Sequence, residues 1–171
     1  LAARCVSVVG SRALTASGRA FAEQAGRMIA EAGLALASGG AAGADTAAQR
    51  ACLSAGGRAV VFPAGSLLEC EARADVLYLA EQAYDQPFSA QRALARNRLI
   101  HAMGEKVLVA QCTCGRGGTW EGATENLRRG YSPVFVHDDG SDGANALIAR
   151  GACPVKTLTT PGQLQPMQLH F

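Results

Sequence analysis

Two stretches near the amino terminus decide the fold: Val6-Ser7-Val8-Val9-Gly10-Ser11-Arg12 and Leu34-Ala35-Leu36-Ala37-Ser38-Gly39-Gly40-Ala41-Ala42-Gly43-Ala44-Asp45. Each opens as a short, continuous apolar run, the pattern of a strand buried on both faces of a parallel sheet. Each then breaks into small residues ahead of a helix-like segment. Small residues let backbone N–H groups approach an anion closely, and the helix that follows contributes partial positive charge at its N-terminus. Two such turns on strands expected to be neighbours point to a bound phosphate. It could belong to a free nucleotide or to a nucleic-acid backbone.

The alternation continues along the chain. Strands are expected at residues 5–9, 34–38, 58–62, 106–110, 133–136 and 152–155. Helices are expected at 15–32, 45–54, 89–103, 120–129 and 145–150, with a short one at 75–81. Apolar residues Phe21, Ala25, Met28, Ile29 and Ala32 recur at helical spacing in the first helix, and Gly33 stops it. Residues 84–88 read as an extended loop and 138–143 as an acidic turn. This βαβα series predicts an α/β fold, a doubly wound and mainly parallel sheet with helices on both faces (Rossmann-like). Right-handed crossovers and one topological switch put the ligand crevice at the C-terminal strand ends, where the small-residue turns fall. The expected organisation is one domain over residues 1–157, with a tail or short helix at 158–171 packed on it.

Composition sets the bounds. The chain has 171 residues, 49% hydrophobic and 18% charged, with a formal net charge of +2. That suits a folded domain and permits, without demanding, a local nucleic-acid-binding patch. No apolar run is long enough for a membrane helix and no export signal is visible, so a cytoplasmic protein with no membrane association is expected. Cys5, Cys52, Cys70, Cys112, Cys114 and Cys153 are scattered and read as mostly buried, reduced thiols. Cys112 and Cys114, with no second pair, are a weak zinc signal, and His101, His137 and His170 form no constellation, so no metal is expected.

Four motifs carry chemistry. Gly10-Ser11-Arg12 offers a turn, a hydroxyl with its amide, and a guanidinium for charge-assisted contact. The dinucleotide fingerprint of three spaced glycines is absent there, which disfavours NAD or FAD and leaves no expected cofactor. In Ser38-Gly39-Gly40-Ala41-Ala42-Gly43-Ala44 almost no side chain blocks a ligand; close helix–sheet packing explains the same composition. Asp45 follows as an expected helix N-cap that could also touch a ribose or base. Arg92, Arg96, Asn97 and Arg98 form a local basic cluster, with Arg92 and Arg96 on one helical face. Gly117-Gly118-Thr119 leads into a helix whose N-terminus could hold phosphate. Beside it, Trp120 could stack on a base or fill the core, and Glu121 and Glu125 could be acid/base groups or answer the helix dipole.

Taken together, these stretches, with Ala47-Ala48, Arg96-Asn97-Arg98-Leu99-Ile100, Lys106-Val107-Leu108-Val109-Ala110 and Asn145-Ala146-Leu147-Ile148-Ala149-Arg150-Gly151-Ala152, resemble the Rossmann-type core of the DNA-processing protein DprA (Smf) family over about residues 4–157. The resemblance implies a cytoplasmic, non-enzymatic, single-stranded DNA-binding protein of transformation and recombination. It also implies a homodimer and a RecA-type recombinase as partner. Carried over to this sequence, it assigns phosphate binding to Gly10, Ser11 and Arg12, to the Ser38–Gly43 turn, and to Arg96, Asn97 and Arg98. Two departures stand out: Gln49 occupies a position usually held by His, and Gly117-Gly118-Thr119-Trp120-Glu121 leans toward the LOG-like phosphoribohydrolases. Their Pro-Gly-Gly-x-Gly-Thr-x-x-Glu motif is matched imperfectly. The alternative is therefore hydrolysis of a nucleoside 5'-monophosphate with Glu121 or Glu125 assisting, or a nucleotide-sensing module.

Overall fold

The computed structural model describes residues 4–164. Its central layer is one sheet of seven strands, all pairs parallel: β1 (Cys5–Val9), β2 (Ala35–Ser38), β3 (Arg58–Val61), β4 (Val76–Tyr78), β5 (Val107–Val109), β6 (Val134–His137) and β7 (Cys153–Val155). The spatial order is β4-β3-β2-β1-β5-β6-β7. The chain winds outward from β1 to β4, then returns to the other side of β1 with β5. The switch point thus lies between β1 and β5, and the predicted doubly wound α/β architecture is the one observed.

The two-residue period of a strand sorts the core. Val6, Val8 and Leu36 enter one apolar layer with helix α1 (Ala16–Glu31) and helix α2 (Ala44–Ser54). Cys5, Val9, Ala35 and Ala37 enter the other, with α4 (Asn97–Met103), α5 (Gly118–Arg129) and α6 (Asp142–Ile148). The small residues of β2 let helices pack close. Phe21, Ala22, Ala25, Met28 and Ile29 form the buried stripe of α1, whose N-cap Thr15 accepts from the Gly18 amide at 3.1 Å. Leu158, and Leu164 in the short 3-10 helix Pro161–Leu164, are buried in the α1/α2 layer. No helix among the described residues is long and apolar enough to cross a membrane.

Four local expectations change. Residues 75–81 contain no helix; Val76-Leu77-Tyr78 pairs with β3 as an edge strand, since β-branched and aromatic side chains suit a pleated surface and three residues are too few to show a period. The helix expected over 89–103 is two, α3 (Ala90–Ala95) and α4, broken at Arg96. The helix expected from residue 120 starts two residues earlier, because Gly117, at φ +88°, serves as its N-cap. Part of the acidic turn is the start of α6, capped by Ser141. The rest of the predicted tail, 165–171, lies outside the described residues.

Candidate anion-binding cleft

A cleft of about 460 Å³ opens at the C-terminal ends of β1 and β5, at the switch point. It draws together Gly10, Ser11 and Arg12 from the β1–α1 loop and Asp45 from the first turn of α2. Arg96 and Asn97 come from the α3–α4 break, and Gly117, Gly118, Thr119 and Glu121 from the start of α5. Val9, Leu94 and Ile100 give it an apolar wall. Asn97 ties two of these sources together: its Nδ2 donates to the Gly118 carbonyl at 3.2 Å.

Beneath the cleft lie two buried groups of opposite charge, Asp45 and Arg96, which meet on either side of Gly39 rather than in direct contact. Asp45 is not the N-cap of α2; Gly43 is, at φ +91°, and the Asp45 side chain turns back into its own loop. One carboxylate oxygen, Oδ2, accepts from the amides of Gly39 (3.0 Å) and Ala41 (3.3 Å). Those two amides are therefore already occupied, and the turn expected to cradle an external anion wraps an internal one. Burial pushes the Asp45 carboxyl up to about 6, against the opposing pull of Arg96, the two amides and Arg12. Arg96 is 7% exposed; its Nη2 donates to the Gly39 carbonyl at 3.1 Å, and its Nε is buried with no partner among the described residues. Burial lowers its pKa and Asp45 opposes the shift. This insertion accounts for the break between α3 and α4: the backbone turns at Arg96 as its side chain reaches under the cleft.

The glycines of both turns serve close packing. A Cβ on Gly39 would lie 1.7 Å from Arg96 Nη1, and one on Gly10 would lie 2.5 Å from the Ala44 Cβ. The loops also bond to their neighbours directly. Ala44 N–H donates to the Ser11 carbonyl (3.2 Å), and Ser11 N–H donates to the Gln111 carbonyl (2.9 Å). The Ser11 amide is thus taken, leaving its hydroxyl and Arg12 on the cleft side.

Several expected residues fall outside the cleft lining. Ser38, Gly39, Gly40 and Gly43 support it from behind, with Gly40 exposed at φ +68°. Arg98 points away and pairs with Glu81. Arg92 holds the carbonyls of Gln86 and Pro87. Glu125, one turn further along the same face of α5 as Glu121, accepts from Arg129 Nε (3.0 Å) and the Tyr131 hydroxyl (3.3 Å) and does not line the cleft. Trp120 packs in the core beneath the Arg150 guanidinium, 4.9 Å from its ring centroid, which removes it as a base-stacking platform. Of the cysteines, Cys5, Cys52 and Cys112 are buried; Cys114 and Cys153 are exposed.

The cleft also holds residues outside the expected binding set: Arg116, Thr113, Cys112, Leu94 and His101. Arg116 lay in plain view inside the glycine-rich loop. His101 carried no signal because its role depends on a partner 25 residues on. The Ser132 amide donates to Asn126 Oδ1 (3.0 Å), so Asn126 Nδ2 faces His101 Nδ1 (3.1 Å). Nδ1 is then the acceptor and Nε2 carries the proton of a neutral ring. Burial lowers the His101 pKa to about 4, with Glu125 opposing.

The arrangement suits a phosphate attached to an apolar or aromatic group. Three guanidiniums and the N-terminus of α5 supply positive charge, and Leu94, Ile100 and Val9 supply an apolar surface.

The sequence and the fold are shared with known proteins. The family model for DNA recombination-mediator protein A matches residues 1–161. A Mycobacterium tuberculosis protein described as DNA processing protein DprA is 33% identical over 167 residues, covering 89% of this chain and 42% of that protein. The X-ray structure of Streptococcus pneumoniae DprA superposes with a TM-score of 0.77 at 29% identity, covering 91% of this chain and 59% of that one. A Helicobacter pylori DprA structure, solved to describe its single-stranded DNA binding mode, gives a TM-score of 0.76 at 26% identity, over 90% of this chain and 76% of that one. The chain spans about half the length of the curated relatives it matches, from 42% to 59%. With the fold, the motifs and these matches in agreement, the chain belongs to the DNA recombination-mediator protein A (DprA) family.

Proposed function

We propose that this domain binds single-stranded DNA through its phosphates in the cleft between β1 and β5, as a non-enzymatic component of DNA uptake and recombination. The observation that carries the reading is convergence. Arg12, Arg96 and Arg116 come from three separate segments and meet at one cleft, beside the N-terminus of α5. The H. pylori relative, whose structure concerns single-stranded DNA, supports the polymer as ligand. The proposed contacts are Gly10, Ser11, Arg12, Arg96, Asn97, Arg116, Gly117, Gly118 and Thr119. Asp45 and the Ser38–Gly43 turn hold Arg96 in position, and Arg98 lies at the periphery. The same reading includes a cytoplasmic homodimer, a RecA-type recombinase as partner, and residues 1–157 as the binding unit.

The test is fluorescence polarisation with oligo-dT and with free nucleotides at two salt concentrations. Affinity for the strand should fall as salt rises, with a log–log slope of about 0.7 per phosphate contacted. Arg12→Ala with Arg116→Ala should weaken binding and flatten that slope. Absent or salt-insensitive binding to the strand refutes the reading.

Glu121 lines the cleft and so favours one rival, the phosphoribohydrolase. Glu125, held by Arg129 and Tyr131, supplies no second carboxylate to it. Incubation with AMP should release no base; base release abolished by Glu121→Gln would assign the cleft to that chemistry instead.

A further inference from the structure

Outside the cleft, a second concentration of charge lies on the outer surface of α1 and α2. Residues spaced by four share a helical face. On α1 that spacing aligns Arg19, Glu23 and Arg27; on α2 it aligns Thr46, Arg50 and Ser54. These two rows flank a trough of about 410 Å³ with Ala47 and Ala51 along it. The helices can approach closely because Gly26 meets Ala48: a Cβ on Gly26 would lie 2.1 Å from the Ala48 carbonyl oxygen. Eight residues of helix make the rows about 12 Å long.

Three guanidiniums face one carboxylate here, a net charge equal to the +2 of the entire chain. Arg19, Arg27 and Arg50 are exposed, and none of them pairs with a carboxylate among the described residues; Arg27 donates to Gln24 at 2.9 Å. Four other arginines do form such pairs: Arg4, Arg73, Arg98 and Arg129. The trough begins near the cleft along the chain. Arg19 follows the Gly10–Arg12 loop by little more than one turn of α1, and Thr46 is the neighbour of cleft-lining Asp45. Both helices start at the C-terminal edge of the sheet and run away from it.

We infer that the α1–α2 trough is a second binding segment for nucleic acid, taking the phosphodiester backbone of a strand that leaves the cleft past Arg12. This rests on the reading that the cleft holds single-stranded DNA. A phosphate backbone fits better than a small anion. The charges are spread along the trough rather than focused, and guanidiniums engage successive phosphates with little demand on the bases. The alanine floor leaves space for a backbone to lie between the rows.

The experiment compares wild type with Arg19→Ala/Arg27→Ala/Arg50→Ala by fluorescence polarisation, using short and long oligo-dT across a salt series. The short strand, filling only the cleft, should bind both proteins equally. The long strand should bind the triple variant more weakly, with a log–log salt slope shallower by about 2, from three contacts at about 0.7 each. The matching Lys variant should restore most of that slope. Removal of Arg73, Arg128 and Arg129 should leave it unchanged, which separates the trough from net charge. Circular dichroism checks that each variant is folded; these side chains are exposed. If the long strand binds wild type and triple variant with equal slopes, the trough proposal is wrong and the cleft reading stands. If wild type binds neither strand, the cleft reading fails and takes the trough with it. An acidic peptide that binds through these three arginines, while oligonucleotide binding is unchanged, would assign the trough to a protein partner and overturn the proposal.

Discussion

Asp45 and His101 should give this domain two opposing pH dependences that cancel in the wild type and separate in single variants. Burial raises the Asp45 carboxyl from 3.8 to about 6, so the fold prefers it neutral. Its contribution is complete below pH 3.8 and is lost as pH rises through about 6. Burial lowers His101 from 6.5 to about 4, so the fold prefers that ring neutral too. Its contribution is complete above pH 6.5 and is lost as pH falls through about 4. At 1.36 kcal/mol per pKa unit, each displacement corresponds to about 3 kcal/mol, with opposite signs over nearly the same window. Asp45→Asn is the clean perturbation. Both loop hydrogen bonds land on a single carboxylate oxygen, which the amide oxygen can replace. Urea unfolding across that window should show a nearly level wild-type curve. The Asp45→Asn variant should gain about 3 kcal/mol from the acid end to the neutral end, and His101→Asn should lose about the same. Half-exposed, paired carboxylates such as Glu105 and Asp75 titrate in every variant and drop out of the differences. An Asp45→Asn curve parallel to wild type would show that the carboxylate is hydrated, not buried against the Gly39 and Ala41 amides.

The architecture was legible because parallel strands buried on both faces are continuous apolar runs, and Val6–Val9, Leu34–Ala37 and Lys106–Ala110 are such runs. What failed was local. Val76–Tyr78 is too short for periodicity to separate strand from helix. The break at Arg96 involves neither Gly nor Pro; it follows from burying a guanidinium 57 residues away in sequence, against Gly39. The cleft was legible in position and only partly in mechanism. Small residues in a βα turn have two physical uses, making room for a ligand or making room for the protein itself. Composition cannot separate them. At Gly39 and Gly10 the second use holds, since the space a Cβ would need is filled by Arg96 and by Ala44. Likewise, an Asp after such a turn reads as a cap from sequence alone. Its turn back to the Gly39 and Ala41 amides depends on the Arg96 charge arriving from the other side of the sheet.

Three further outcomes follow from the same geometry. Gly39→Ala would set a Cβ 1.7 Å from Arg96 Nη1, and should cost about 1–3 kcal/mol in chemical denaturation while weakening nucleotide binding; unchanged stability would mean that Arg96 is free to leave its position. Gly43→Ala combines a φ of +91° with a Cβ only 2.3 Å from the Ser11 carbonyl oxygen, so it should cost more than Gly39→Ala and lower the melting temperature further, because backbone cannot yield as a side chain can. Asp45 carries the negative charge facing Arg12 and Arg96, so wild-type affinity for oligo-dT should rise as pH falls through about 6, and Asp45→Asn should bind more tightly at neutral pH with a weaker pH dependence. Equal affinities for the two proteins at neutral pH would mean that the phosphate binds beyond the reach of this carboxylate, at the Arg116 side of the cleft.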